Sequence, residues 1–199
     1  MTRLSALAAV LLLVGCGGGP AENDGVDAPA PQPGVDVRDV RAEVLLNPET
    51  RQIGVTASLD IAYPDTMRTL VLGLDDALEV LTVRVDGEAV LFWREGDALD
   101  VPVAGVSSPS LVEVVYRGIP AAGLYADEGA GQTVVYTDGW PDRTAGWLPA
   151  VQHPSDPARL DLTVVVPEAV EVVASGRAVG DSLAGGQRHA RFVLDEDAP

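Results

Sequence analysis

The sequence predicts an all-β domain, an antiparallel β-sandwich or a pair of curved sheets, and three observations predict it. Apolar and polar residues alternate at period two from Val40 onward, most cleanly in Ile53, Val55, Ala57, Leu59 and Ile61. Short β-prone runs recur between turn residues such as Asn47-Pro48, Asp86-Gly87 and Gly185-Gly186. Beyond the first 16 residues, apolar positions never repeat at helical spacing for more than about two turns. With 47% of 199 residues hydrophobic, a single domain with a sizeable core is allowed.

The first element is not part of that domain. Arg3, an apolar run from Leu4 to Val14 and the ending Leu13-Val14-Gly15-Cys16 have the layout of an export signal too short to span a bilayer. The ending resembles a bacterial lipobox, which implies that residues 1–15 are removed and that Cys16 is lipidated. Gly17-Gly18-Gly19-Pro20 ends any helix there at once. Cys16 is the only cysteine, so the core holds the fold without a disulfide. Residues 17–36 are Gly, Pro, Ala and acid with little to bury, and are expected to form a disordered tether reaching roughly 25 Å. The expected localisation is therefore an exported protein, lipid-anchored to a bacterial envelope membrane.

The domain is expected over residues 37–199. Val40 to Leu46 and Ile53 to Ile61 make a hairpin across Asn47-Pro48-Glu49-Thr50. Strands follow at Thr69–Leu74, Val80–Val85, Ala89–Arg94, Ala98–Val101 and Leu111–Tyr116, with Asp86-Gly87 as a tight turn. Thr133–Tyr136 leads into a long segment, and Leu160–Val166, Val170–Ala174 and Arg188–Leu194 come after it.

That segment, Thr137 to Leu162, is neither strand nor low-complexity linker. It holds Trp140 and Trp147, His153 and four prolines. Long loops inside compact domains are usually functional or disordered, and the aromatic content argues against disorder.

Charge excludes some partners. Without Arg3 the mature chain sets 12 arginines (13 − 1) against 30 acids, a net of 12 − 30 = −18, and lysine is absent. Nucleic acid and anionic lipid surfaces are recognised through basic patches, which this balance disfavours.

The chain's own catalytic chemistry is sparse. A hydrolytic zinc site needs three protein ligands and an open position, often from His-Glu-x-x-His. Only His153 and His189 are present, 36 residues apart and outside any such motif, so no metal is assigned to this chain. Ser155 and Asp156 beside His153 have the residue types of a triad, but neighbours in sequence rarely form one and no elbow glycines surround Ser155. Pro154-Ser155-Asp156-Pro157 is turn chemistry.

The long segment does carry a recognisable pattern. Thr137-Asp138-Gly139-Trp140-Pro141-Asp142-Arg143, then Trp147-Leu148-Pro149 and His153-Pro154-Ser155-Asp156, resembles the signature ending the amino-terminal β domain of the aminopeptidase N family of zinc peptidases, family M1. It looks closest to exported bacterial members. Asp36 to Tyr63 is similar to the family's opening hairpin, Leu70 to Val90 to its next strands, and Leu160 to Val179 to the pair after the signature. The resemblance covers residues 36–199.

It implies a saddle-shaped β domain packed on a separate catalytic domain. That second domain carries Gly-x-Met-Glu-Asn, His-Glu-x-x-His and the zinc, none of which is in this sequence. It also implies a further strand beyond Pro199, without which one sheet has an unpaired edge. The matching loop positions line the first substrate subsite in the family, so Asp138 and Trp140 are the substrate-facing candidates. The alternatives are a turn-capping aspartate and a tryptophan packed in the seam between domains. Ala145, Gln152 and Pro157 stand where the family or its exported subgroup has arginine, aspartate and lysine, which implies relaxed constraint on the loop.

The expected function is thus a non-catalytic amino-terminal domain of a lipid-anchored zinc aminopeptidase-like protein. Its partners would be its own catalytic domain, the membrane through the anchor and, through the intact protein, a peptide. The competing expectation is a free-standing β-sandwich lipoprotein acting as a binding or scaffold module, and a remote third is a hydrolase using Ser155 and His153.

Overall fold

The computed structural model describes residues 9–12, 32–129, 132–139, 143–151 and 158–198. Among these, the regular structure is β, with one 3-10 turn at Arg143–Gly146. The strands in chain order are β1 (Ala9–Leu12), β2 (Asp36–Leu46), β3 (Ile53–Ala62), β4 (Thr69–Gly73), β5 (Leu78–Val85), β6 (Glu88–Ala89), β7 (Trp93–Glu95) and β8 (Ala98–Pro102). They continue as β9 (Ser110–Gly118), β10 (Leu124–Gly129), β11 (Gln132–Thr137), β12 (Ala158–Pro167), β13 (Glu171–Ala174), β14 (Arg177–Ala184) and β15 (Gln187–Ala198).

Three sheets share these strands. The largest runs β14-β15-β12-β2-β3-β9-β5-β6, a second is β4-β8-β7, and a third is β10-β11-β1-β13. Buried residues of all three, among them Leu59, Val114 and Val164 of the first, Leu72 and Val101 of the second and Val135 of the third, form one contiguous core. The pairings are mainly antiparallel, as expected, but β12 lies parallel to β2, and β1 lies parallel to both its neighbours.

Period two in the sequence becomes two-faced strands. On β3, Ile53, Val55, Ala57, Leu59 and Ile61 are buried, and burying each larger side chain stabilises the fold by about 1.5–3 kcal/mol relative to exposure. The opposite face of the large sheet carries cross-strand ion pairs. Asp39 pairs with Arg159 at 2.8 Å, Asp161 with Arg191 at 2.6 Å and with Arg41 at 3.6 Å, and Glu113 with Arg84 at 2.8 Å.

Turn chemistry also holds. Asp86 and Gly87 both adopt positive φ, as the two-residue turn from β5 to β6 requires, and the Asp86 carboxylate accepts the Leu111 N–H at 2.8 Å.

Four features differ from the sequence-based expectation. The stretch Ala89–Arg94 is not one strand: β6 ends at Ala89 in the large sheet and β7 starts at Trp93 in the three-stranded one, because the chain changes sheets there. Strands β10 and β14 were not expected; β14 is exposed along its whole length, so no alternation marks it. The fold begins before Val37, since the Gln32 side chain exchanges two hydrogen bonds with the Val71 backbone at 2.6 and 2.8 Å. Finally, Ala9–Leu12, inside the apolar leader, is a strand. Cys16 and the rest of the tether before Gln32 lie outside the described residues. Among the described residues no helix is long and apolar enough to cross a membrane.

The last described strand, β15, is interior: β12 lies on one side and β14 on the other. Among the described residues, the outermost strands of the large sheet are β14 and β6.

Candidate functional site: the loop after β11

The candidate site is the connection from Thr137 to Ala150. Its first turn is closed by its own acid and base. The Asp138 N–H donates to the Gly123 carbonyl at 3.1 Å, and the Arg143 N–H donates to the Gly139 carbonyl at 3.0 Å. Arg143 Nη1 donates to Asp138 Oδ2 at 3.0 Å, with both side chains largely covered. Asp138 and Arg143 are thereby brought together as a clasp across the residues between them. Trp140, Pro141 and Asp142 lie outside the described residues.

The second half of the loop is fastened to the core. Trp147 and Leu148 N–H groups donate to the Thr144 carbonyl at 3.1 and 2.9 Å, which closes the 3-10 turn, and both side chains are buried. Gly73 and Ala150 exchange backbone hydrogen bonds at 2.8 and 3.1 Å, the Asp75 N–H donates to the Ala145 carbonyl at 2.8 Å, and the Tyr116 hydroxyl donates to the Trp147 carbonyl at 2.8 Å. Burial pushes the Tyr116 phenol well above its ordinary value, so it stays neutral and remains a donor.

Close backbone approach dictates two glycines here. A Cβ on Gly146 would collide with the Ala122 carbonyl, and one on Gly123, at φ +75°, with the Arg143 carbonyl. Ala145, fully buried, touches Ala122 in the same contact.

Asp75 anchors this region from beneath. Its Oδ2 accepts the Ala121 and Ala122 N–H groups at 2.6 and 3.2 Å, and its Oδ1 accepts the Ala77 N–H at 2.9 Å. Arg94 caps the neighbouring backbone, donating to the Leu74 and Asp75 carbonyls and, at 2.6 Å, to that of Leu78. Desolvation draws the Arg94 guanidinium below its ordinary value, opposed by Asp76, Asp97 and Asp75, yet an arginine starts so high that it stays charged.

Asp75, Asp76 and Asp97 are the one cluster of acidic or metal-ligating side chains among the described residues whose donor atoms converge, within 4.8 Å. Their oxygens already serve the fold: besides the three bonds to Asp75, Asp97 Oδ1 accepts the Asp76 N–H at 2.8 Å. With no histidine or cysteine in the set and an arginine beside it, the cluster does not fit zinc.

Of the other candidates, only His189 is among the described residues. His189 lies in β15 opposite Val165 and Ser182. His153, Ser155 and Asp156, with Gln152 and Pro157, lie outside the described residues. Sequence reasoning did not single out Tyr116, Asp75 or Arg94. The available signals were faint: an Asp75-Asp76 pair at a strand end, and a tyrosine at an inward position of an alternating strand.

Sequence comparison matches no protein family and no curated protein. Comparison of folds does find relatives. The chain is similar to an M1 zinc metallopeptidase from Deinococcus radiodurans, with a TM-score of 0.75 at 22% identity over 85% of this chain and 41% of that one. It is also similar to yeast LTA4 hydrolase, with a TM-score of 0.70 at 18% identity over 83% of this chain and 27% of that one. A third structure is the Legionella pneumophila aminopeptidase A in complex with aspartic acid, at 0.67 and 13% over 83% and 20%. At these identities the likeness is one of fold: this chain has the fold of a β-rich part of M1 zinc metallopeptidases and spans well under half of their length.

Proposed function

We propose that this chain is the non-catalytic amino-terminal β domain of a zinc aminopeptidase-like protein, and that its Thr137–Ala150 loop forms one lip of the peptide site. The observation that carries the reading is the fold likeness over 85% of this chain and only 41% of the metallopeptidase chain. Zinc would be held by a catalytic portion outside these residues, where it would activate water for hydrolysis of the first peptide bond. The residues here would position and not react. Asp138, clasped by Arg143 just after β11, would present a carboxylate edge to a bound peptide, with Trp140 the second candidate for contact. Four attachments of the loop to the core, through Gly73, Asp75, Tyr116 and Gly123, supply the rigidity that positioning needs.

The anchor is part of the same proposal. Leu13-Val14-Gly15-Cys16 supports lipidation at Cys16, export, and attachment to an envelope membrane.

Native protein isolated from envelopes tests the reading through hydrolysis of aminoacyl-coumarin substrates. Chelation should abolish activity and zinc should restore it, while Asp138→Ala should raise KM or lower kcat without changing the melting temperature by more than a few degrees. A preparation that contains zinc-free, inactive protein sinks the peptidase reading. It would favour the free-standing binding or scaffold module, which the single contiguous core also allows. For the anchor, Cys16→Ala should move the protein from the membrane to the soluble fraction, and unchanged partitioning would remove that part.

A further inference from the structure

We propose that the face of the β10–β11 hairpin carrying Tyr125, Tyr136, Asp127 and Asp138 is a subsite for a basic side chain, arginine or lysine, of a bound peptide. The strand register places these four side chains together. β10 and β11 pair antiparallel in unbroken register, with Tyr125 opposite Tyr136 and Asp127 opposite Val134. The Asp138 N–H donates to the Gly123 carbonyl at 3.1 Å, which extends the ladder by one residue on each strand. Side chains alternate across a strand, so Val134, Tyr136 and Asp138 project from one face of β11 and Tyr125 and Asp127 from the same face of β10. The opposite face, with Leu124, Val135 and Thr137, is the buried one.

The rings set the shape of the ligand and the carboxylates its charge. The two ring centroids are 5.7 Å apart and the planes are tilted by 34°, so the pair forms one aromatic surface, and both residues are only half-buried. An aromatic face attracts a cation, and a planar guanidinium also stacks on it. Along the ladder the rings are flanked by acids, Asp127 on one side and Asp138 on the other, each two residues away, or about 6.7 Å along its strand. Two arginines bond to this region, Arg143 to Asp138 at 3.0 Å and Arg51 to the Leu124 carbonyl at 3.4 Å. Asp127 is exposed and has no ion pair with another described residue, so an incoming cation would find one carboxylate ready and the other already shared.

That the ligand is a peptide rests on the reading of the Thr137–Ala150 loop as one lip of a peptide site; that its side chain is basic rests on the hairpin alone. A leucine side chain would cover the rings and gain nothing from the acids. A glutamate would be repelled by them, and by the chain's net charge of −17.

Isotope-labelled tyrosine rings in the full chain test the subsite by nuclear magnetic resonance. The chain has four tyrosines, and Tyr63 and Tyr116, buried in the core, serve as internal references. With a chelator present to prevent hydrolysis, the tripeptide Ala-Arg-Ala should shift the ring signals of Tyr125 and Tyr136 and leave those of Tyr63 and Tyr116 in place. It should bind about fivefold or more tighter than Ala-Leu-Ala or Ala-Glu-Ala. Asp127→Asn should weaken Ala-Arg-Ala by about threefold or more with an unchanged melting temperature. No shift of the two rings, equal binding of the leucine or glutamate peptide, or unchanged binding in Asp127→Asn would each overturn the subsite. Hydrolysis of aminoacyl-coumarins, measured in parallel without chelator, reports the peptidase reading separately. An inactive protein whose rings respond keeps the subsite and loses that reading; an active one whose rings do not respond does the reverse.

Discussion

The hydroxyl of Tyr116 donates to the carbonyl of Trp147 at 2.8 Å, and both residues are almost completely buried. This one bond ties the centre of the large sheet to the loop that carries the candidate site. Tyr116→Phe leaves the Trp147 carbonyl without that donor and should destabilise the domain by about 1–3 kcal/mol, read from chemical denaturation. The loop amides should lose exchange protection more than those of β3.

Tyr116 also predicts an alkaline limb. Its folded pKa is raised by burial, so its contribution is fully present below the unfolded value and is lost as pH rises from about 10 toward the folded value. Stability should fall above about pH 10 in the native protein and fall less steeply in Tyr116→Phe. Equal slopes would show that other groups control that limb.

Asp75 accepts N–H groups on both oxygens, from Ala77 on one and from Ala121 and Ala122 on the other. In Asp75→Asn either orientation of the amide sets its NH₂ against a backbone donor. A loss of about 1–3 kcal/mol is expected, measured by thermal or denaturant unfolding. An unperturbed variant would mean that the carboxylate does not brace the loop.

At the opposite face of the fold, Asp161 is held below its ordinary range, first by the hydrogen bond from Arg191 and further by the charges of Arg191 and Arg41. A depressed carboxylate contributes stability that is present above its unfolded value and lost as pH falls through the folded one. Asp161→Asn should be less stable than the native protein at pH 7, and the gap should close below about pH 4. A constant gap across that range would contradict the assignment.

Ala145 gives a sharper contrast with the resemblance. The matching position in the aminopeptidase N family is arginine, but here the side chain is fully buried against Ala122, with Gly146 and Gly123 pressed onto backbone carbonyls beside it. Ala145→Arg should cost at least about 1–3 kcal/mol by overpacking, and more if the charge stays unpaired. A melting temperature equal to that of the native protein would show that the loop has room the structure does not show.

Much of the fold was legible because it rests on burial. Ile53 to Ile61 and Leu111 to Tyr116 alternate between core and outer face, and Asp86-Gly87 has the residues its turn demands. Strand β14 was not legible, since it has no buried face and is held by backbone pairing to β15 and the ion pairs Arg177–Asp195 and Asp181–Arg188. The break between Ala89 and Trp93 was hidden for a related reason: alternation does not tell which sheet a strand joins. Within the candidate site the motif marked Asp138 and Trp140; Asp138 meets Arg143 of the same motif, and Trp140 lies outside the described residues. Its supports, Tyr116, Asp75 and Arg94, are distant in sequence and became visible only once the strands were placed. The most informative surprise is Ala9–Leu12, whose apolar character suits an export leader and a strand equally well.

The central claim is that this domain serves a zinc peptidase site that its own residues do not make. The most direct measurement is on the natural product, captured from envelopes with an antibody against residues 32–198 and examined for polypeptide length and bound zinc. The account predicts a chain far longer than 199 residues carrying about one zinc per polypeptide. A product of 199 residues or fewer with no zinc would contradict it.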